Sequence, residues 1–160
     1  MSTVRIRKAA ASDLEALQEF ARRTIDCCYR PFLGDANVDW FIDSGESDRT
    51  IETHLDHCDV LLLCGVPVAH AVFFDDLIHL LMVDVRLHRQ GIGSRLLAHC
   101  EAQLFAQGNT ALRLETFEGN QQAIGFYLKN GWTITGKQQD PEHDFVRVCF
   151  SKSPAQPTHC

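Results

Sequence analysis

The feature that most constrains this chain is a nearly unbroken apolar run, "LIHLLMVDV" from Leu77 to Val85, which leads within a few residues into "HRQGIGSRLL", His88 to Leu97. An apolar run without polar alternation predicts a strand buried on both faces, and so a sheet covered on two sides. The stretch after it puts Ile92, Leu96, Cys100 and Leu104 on one helical stripe that stops at Gly108. A strand entering a helix through glycines turns free backbone N–H groups and the positive end of the helix dipole toward one point. Gly91 and Gly93 keep Cβ atoms away from that point, which makes it an anion site on physical grounds. The same glycines suit a tight turn with close packing of helix on strand, and the residues alone leave both readings open. Two standard phosphate loops fail here. Gly93 is followed by Ser94-Arg95 with no lysine, and the residue three after it is Leu96 rather than glycine.

Around this centre the remaining segments fall into an α/β order. "TVRIRKA" alternates like a strand, and Ser12 with Glu15 reads as a capping box opening a helix that carries Leu14, Leu17, Phe20, Ala21 and Ile25. Pro31 and Gly34 break that pattern, an irregular aromatic segment follows with Tyr29, Phe32, Trp40 and Phe41, and a second helical region turns Ile51 and Leu55 inward. "DVLLLCGVPVAHAVFFDD" predicts two strands about a Gly65-Val66-Pro67 turn. After the central helix come the strand "ALRLETF", a helix capped by Asn120 and ending at Asn130-Gly131, and a hairpin of "WTITGK" and "FVRVCFSK" around "QQDPEHD". The expected architecture is one layered α/β domain built on a single sheet, over residues 1–152, with a loose polar tail at 153–160.

Composition narrows the function classes. A chain of 160 residues has the size of one domain. Its net charge of -6 disfavours nucleic acid and anionic membrane as partners and mildly favours a cationic small molecule. No apolar run approaches the roughly 20 residues of a membrane span. Asp13 and Glu15 interrupt the N-terminal stretch where a secretory signal would be apolar, so a cytoplasmic location is expected. Seven cysteines with no C-x-x-C pair read as reduced thiols. His54 and His57, near Asp56 and Cys58, read as a solvated helical face, and no metal is expected.

Taken together, "VDVRLHRQGIGSRLL" and "LRLETFEGNQQAIGFYLKNGW" closely resemble the two signature regions of the GNAT superfamily of acyl-CoA-dependent N-acetyltransferases, in its single-domain bacterial type. The first resembles the family's [QR]-x-x-G-x-[GA] loop. The second resembles its strand, Asn-capped helix and F-Y-x-K-x-G-[WF] ending, here Phe126, Tyr127, Lys129, Gly131 and Trp132. The resemblance covers residues 3 to 152 and implies a GNAT-like fold. That fold is a mixed, mostly antiparallel sheet of about six or seven strands flanked by helices, with an acetyl-CoA cleft between two splayed central strands. The chain departs from the pattern at one place: His88 stands where the family usually has Gln or Arg.

The resemblance also implies roles. Met82, Val83 and Val85 would meet the pantetheine arm through main-chain groups, and Arg89, Gln90, Gly91, Ile92, Gly93 and Ser94 would wrap the pyrophosphate, with His88 beside them. Asn120 would cap its helix and touch the coenzyme, and Tyr127 would protonate the leaving thiolate. A primary alkylamine has a pKa of about 10.4 and must lose a proton before it attacks. Glu115 and His79 are the candidates to take it. Each also has an ordinary reading, His79 as a core histidine and Glu115 as a strand carboxylate paired with Arg113. The acceptor side falls to the helix-loop segment, with Tyr29, Phe32, Trp40 and Phe41 beside Asp43 and Glu46, and to the last hairpin loop, with Asp140, Glu142 and His143. The reaction expected is acetyl transfer from acetyl-CoA to a primary amine of a small molecule or peptide, by a monomer or homodimer. Two alternatives stand beside it: an acyl-CoA-binding sensor without turnover, and acetylation of charged tRNA, which the acidic balance opposes.

Overall fold

The computed structural model describes residues 3–88, 90–141 and 143–154. In chain order the elements are β1 (Val4–Lys8), α1 (Leu14–Cys28), α2 (Arg30–Leu33), α3 (Asp35–Asp43), α4 (Glu46–Thr53), β2 (Cys58–Leu63), β3 (Val66–Phe74), β4 (Leu77–Val83), α5 (Ile92–Ala106), β5 (Leu112–Phe117), α6 (Gln121–Lys129), β6 (Thr133–Gln139) and β7 (Val146–Lys152). The seven strands form one sheet in the order β1-β2-β3-β4-β5-β7-β6. All neighbours are antiparallel except β4 and β5. That parallel pair is joined over only two register pairs, Leu77 with Arg113 and Ile78 with Leu114. Beyond Ile78 the two strands part, and the sheet is open at its centre.

Strand alternation sends side chains to two separate cores. Cys58, Val60 and Leu62 of β2 face α1 through α4, packing with Leu17, Phe20, Ala21 and Ile25. Leu61 faces the other way, where Ile92, Leu96, Leu97, Cys100 and Leu104 of α5 form the stripe read from the sequence. The six described cysteines are free thiols.

Four expectations need correction. The first helix opens differently: Asp13, not Ser12, organises the entry, accepting from the Ala10 N–H at 2.7 Å and from the Arg7 guanidinium at 2.7 and 3.0 Å. The aromatic segment is not irregular, because Pro31 sits in the first turn of the short helix α2 and Gly34, at φ +84°, links it to α3. The β2–β3 turn is Cys64-Gly65, both at positive φ as a two-residue hairpin requires, so Val66 and Pro67 belong to β3. β4 is fully buried only at Ile78 and Met82, since its second half, paired with β3 on one side, borders the central opening instead of β5 on the other.

One buried group shapes the response to acid. His70, in the middle of β3, has no exposed surface and its ring lies 5.1 Å from that of Phe20. Neither ring nitrogen has a hydrogen-bond partner among the described residues. Burial pushes its pKa down to about 4 from an ordinary 6.5. The unfolded chain therefore takes up a proton between those values while the folded one does not. The stability from neutral burial is complete above pH 6.5 and declines as pH falls to about 4, by roughly 3 kcal/mol. The carboxylates of Asp13 and Asp84, lowered by hydrogen bonds from arginine, lose their contributions only below their usual 3.8, so the two windows are separate. Urea unfolding from pH 7 to 4 should show this decline in the wild type and a flatter profile for His70→Leu; a flat wild-type profile would contradict neutral burial.

Candidate functional site

Where β4 leaves β5, strand geometry decides which backbone groups are exposed. The N–H of Asp84 donates to Val68 of β3 at 2.8 Å. Alternation along the strand then directs the N–H groups of Leu81 and Val83 to the opposite, open side. The Val83 carbonyl is already satisfied: His88 Nε2 lies 2.9 Å from it. A carbonyl can only accept, so Nε2 carries the hydrogen. His88, at the position where the sequence departs from its family pattern, thus ties the loop to the strand end. Asp84, almost wholly buried, pins the same corner by accepting from Arg86 and, at 2.8 Å, from Arg23 of α1.

The two glycines have different tasks. Gly91 caps α5 at φ +78°, a left-handed conformation that favours glycine, and a Cβ there would meet nothing. At Gly93 a Cβ would lie 3.2 Å from Phe126 Cζ and 3.5 Å from Val83 Cγ2, so its bareness lets α5, β4 and α6 approach closely. The tight turn is thus the work of Gly91 and the close packing of helix on strand that of Gly93. The first intrahelical bond runs from the Arg95 N–H to Gly91, which leaves the amides of the first turn facing the opening.

Two cavities meet in this gap. The first, about 570 Å³, runs from His88, Gly91, Gly93 and Ser94 past Val83 to α6. The second, about 510 Å³, lies between the helical segment and the last hairpin, with Trp40, Phe41, Glu46, His79 and Glu115 in its wall. Six residues wall both: Tyr29, Leu81, Met82, Asn120, Ala123 and Tyr127. Asn120 caps α6 by accepting from the Ala123 N–H at 3.2 Å. Tyr127 is buried, its ring 5.6 Å from Phe150, and burial raises the phenol well above its usual range, with Tyr29 adding to the rise. Tyr29 itself is pushed up to about 12 by burial. Both phenols keep their protons at neutral pH.

On the second cavity, His79 is exposed rather than a core histidine. Its ring centroid is 4.7 Å from that of His54, and His54 stacks on Phe74. His54 is half-buried against Phe74, whereas His57 touches the same ring and stays exposed, as expected for a solvated face. Partial desolvation, then His54 and Arg147, lower the His79 pKa, against an opposing effect of Glu115. Arg113 pairs with Asp76 at 2.9 Å, not with Glu115, whose carboxylate lines the second cavity and accepts from Cys149 Sγ at 4.0 Å.

The remaining expected residues divide. Met82 and Val83 line the first cavity. Val85 sits in a 3-10 turn after β4, and Ile92 turns its side chain into the core at 7% exposure, so only its main chain can serve the opening. Gln90 is exposed beside Gly91 and walls neither cavity, and Arg89 and Glu142 lie outside the described residues. Phe32 walls neither cavity and packs behind Tyr29 and Phe117 of the second cavity and against Gly119, where an added Cβ would lie 2.5 Å from Phe32 Cβ. Asp140 and His143 do line the second cavity. Sequence reasoning missed Arg147, which lies over the Phe117 ring at 5.1 Å and pairs with Asp140 at 3.1 Å. It also missed Thr24 in the first cavity, whose signal was a polar residue on the apolar stripe of α1.

Solved structures share this architecture. A GCN5-related N-acetyltransferase from Rhodopseudomonas palustris superposes with a TM-score of 0.82 at 18% identity, covering 96% of this chain and 98% of that one. The PaiA N-acetyltransferase from Thermoplasma acidophilum, in complex with coenzyme A, gives 0.77 at 19% identity over 95% and 99%. The ribosomal-protein-S18-alanine N-acetyltransferase from Escherichia coli gives 0.70 at 19% identity over 99% of both chains. No curated protein sequence matches the chain. The family model of acetyltransferases matches residues 25–132, a span that takes in the glycine turn, the opened strands and Tyr127, and the chain therefore belongs to the acetyltransferase (GNAT) family.

Proposed function

We propose that this acetyltransferase moves an acetyl group from acetyl-CoA to a primary amine of a small molecule or peptide, by direct attack with both substrates bound. The observation that carries the reading is the wall common to the two cavities, with Tyr127 in it. It offers one meeting point for a donor entering from the α5 side and an acceptor entering from the hairpin side.

The first cavity fits acetyl-CoA on its own features. Free amides at the start of α5 suit a pyrophosphate, and the open N–H groups of Leu81 and Val83 suit the amides of an extended pantetheine arm. Acetyl-CoA bound there would supply an acetyl group activated as a thioester. The N–H of Val83, held beside the His88 tie, would stabilise negative charge on the carbonyl oxygen. The coenzyme A complex of the Thermoplasma PaiA enzyme supports the same donor for this chain.

In the second cavity His79 takes the proton of the incoming ammonium. Its lowered pKa keeps it neutral, and so able to accept, below the ordinary 6.5 of histidine. Glu115 favours the imidazolium once it forms. Glu46, Glu115 and Asp140 beside Trp40, Phe41 and Phe117 suit a cationic amine with an apolar body. Tyr127, still protonated, serves the departing sulfur.

Thiol release from acetyl-CoA against a panel of amines tests the reading; tight donor binding without release on any amine would point to a sensor instead. Tyr127→Phe should lower kcat by about a hundredfold with acetyl-CoA affinity within about twofold of wild type, and unchanged turnover would remove the acid role. The pH profile of kcat/KM should fall on an acid limb below pH 6.5, because protonated His79 cannot act as base. His79→Gln should lower the rate and abolish that limb, whereas a limb that survives in His79→Gln and disappears in Glu115→Gln would reassign the base to Glu115.

A further inference from the structure

We propose that Thr24 is a donor-binding residue, its hydroxyl hydrogen-bonding a carbonyl of the pantetheine arm. The proposal rests on the acyl-CoA reading of the first cavity and adds a contact from α1, a helix outside both signature regions of the sequence.

Thr24 occupies the buried stripe of α1 with Leu17, Phe20, Ala21 and Ile25, at 3% exposure. Its Oγ1 has no hydrogen-bond partner among the described residues. A threonine within a helix ordinarily resolves this by donating to the carbonyl four residues back, as Thr50 does to Glu46 at 2.9 Å. Thr24 does not, and a buried hydroxyl without a partner destabilises the folded chain unless something it serves repays the cost.

The position indicates what it serves. Thr24 walls the first cavity, together with Cys28 one turn further along α1. The preceding residue, Arg23, is bound to Asp84 at 2.8 Å, which fixes this turn of α1 against the end of β4. Thr24 thus shares the first cavity with Met82 and Val83, on the side where α1 meets the end of β4. An arm joining a pyrophosphate at the start of α5 to a thioester near Tyr127 must pass through this cavity. The arm carries amide and thioester carbonyls, which accept hydrogen bonds, and a hydroxyl supplies the matching donor. The interior N–H groups of α1 are bonded within the helix, so a donor from α1 must be a side chain, and the Thr24 hydroxyl is a stronger donor than the Cys28 thiol. The comparison with His70 separates two kinds of buried polar group. His70 also lacks partners, but it walls neither cavity, so no ligand there can satisfy it.

The test compares Thr24→Val and Thr24→Ser with wild type in the full chain. Calorimetry would use acetyl-CoA and adenosine 3′,5′-bisphosphate, which lacks the arm, and thermal unfolding would be followed without ligand. Valine keeps the shape and helix propensity of threonine and removes only the hydroxyl. The expected result for Thr24→Val is an acetyl-CoA affinity about three- to tenfold weaker, unchanged bisphosphate affinity, and a ligand-free Tm equal to or above wild type. Thr24→Ser should bind acetyl-CoA like wild type. Opposite movements of binding and stability are the signature, because a purely structural threonine would lower both. Equal acetyl-CoA affinity in wild type and Thr24→Val would overturn the proposal while leaving the donor reading intact. Parallel loss of both ligands, or a loss accompanied by a lower Tm, would also overturn it. A wild type that binds neither ligand would remove the donor reading itself, and Thr24 with it.

Discussion

The structure depends on a ladder that ends early. β4 and β5 are hydrogen-bonded over two register pairs at Leu77 and Ile78, and then diverge in the middle of a seven-stranded sheet. Backbone N–H and C=O groups in such a place are costly unless something pairs with them. The chain meets part of the demand itself, with His88 on the Val83 carbonyl and Asp84 on Arg86 and Arg23, and leaves the remaining edge as a polar template inside an otherwise apolar domain. A ligand with alternating amides is the natural complement of such a strand edge, and the proposed donor site draws on this one break in hydrogen bonding.

The elements on both sides of the opening are each packed or paired elsewhere. On one side Gly93 lets Phe126 and Val83 come within van der Waals contact, seating the start of α5 at the mouth. On the other, β5 stays paired with β7 along all six of its residues, so its departure from β4 does not cost it a place in the sheet. The two cores, one on each face, supply the rigidity: α5 on one side and α1 through α4 on the other bury apolar stripes against the same strands. Among the described residues, His70 and Thr24 place side-chain polar atoms without hydrogen-bond partners in these cores, and of the two Thr24 borders a cavity.

Much of this was legible in the chain. The stripe of Ile92, Leu96, Cys100 and Leu104 could be read from spacing, because a 3.6-residue period admits one buried face. The Asn120 cap and the end of α6 followed from local hydrogen-bonding chemistry. The errors have a physical pattern too. The capping box was misplaced because Asp13 is drawn to Arg7 across the β1–α1 corner, a partner that no local rule names. The helices α2 and α3 were hidden because Pro31 and Gly34, read as breakers, serve as a helix start and a linker. Aromatic residues in a variable segment fit either a core or a pocket, and only packing places Phe32 behind Tyr29 and Phe117 of the second cavity and against Gly119.

By itself the sequence determined the layered α/β order, the glycine turn after a buried strand, and the pairing of two signature regions that identifies an acetyltransferase. These are local properties, carried by periodicity, by the conformations open to glycine, and by residues close together along the chain. Only the tertiary structure decided that β4 and β5 separate after Ile78, that Gly91 and Gly93 do different work, that His88 serves the Val83 carbonyl, and that Arg113 pairs with Asp76 while Glu115 lines a cavity. It also decided that the two cavities share the wall containing Tyr127, whose lining comes from α1, β4 and α6. The reason is that hydrogen-bond satisfaction and close packing are settled among groups far apart in sequence, each taking the partner that folding brings within reach.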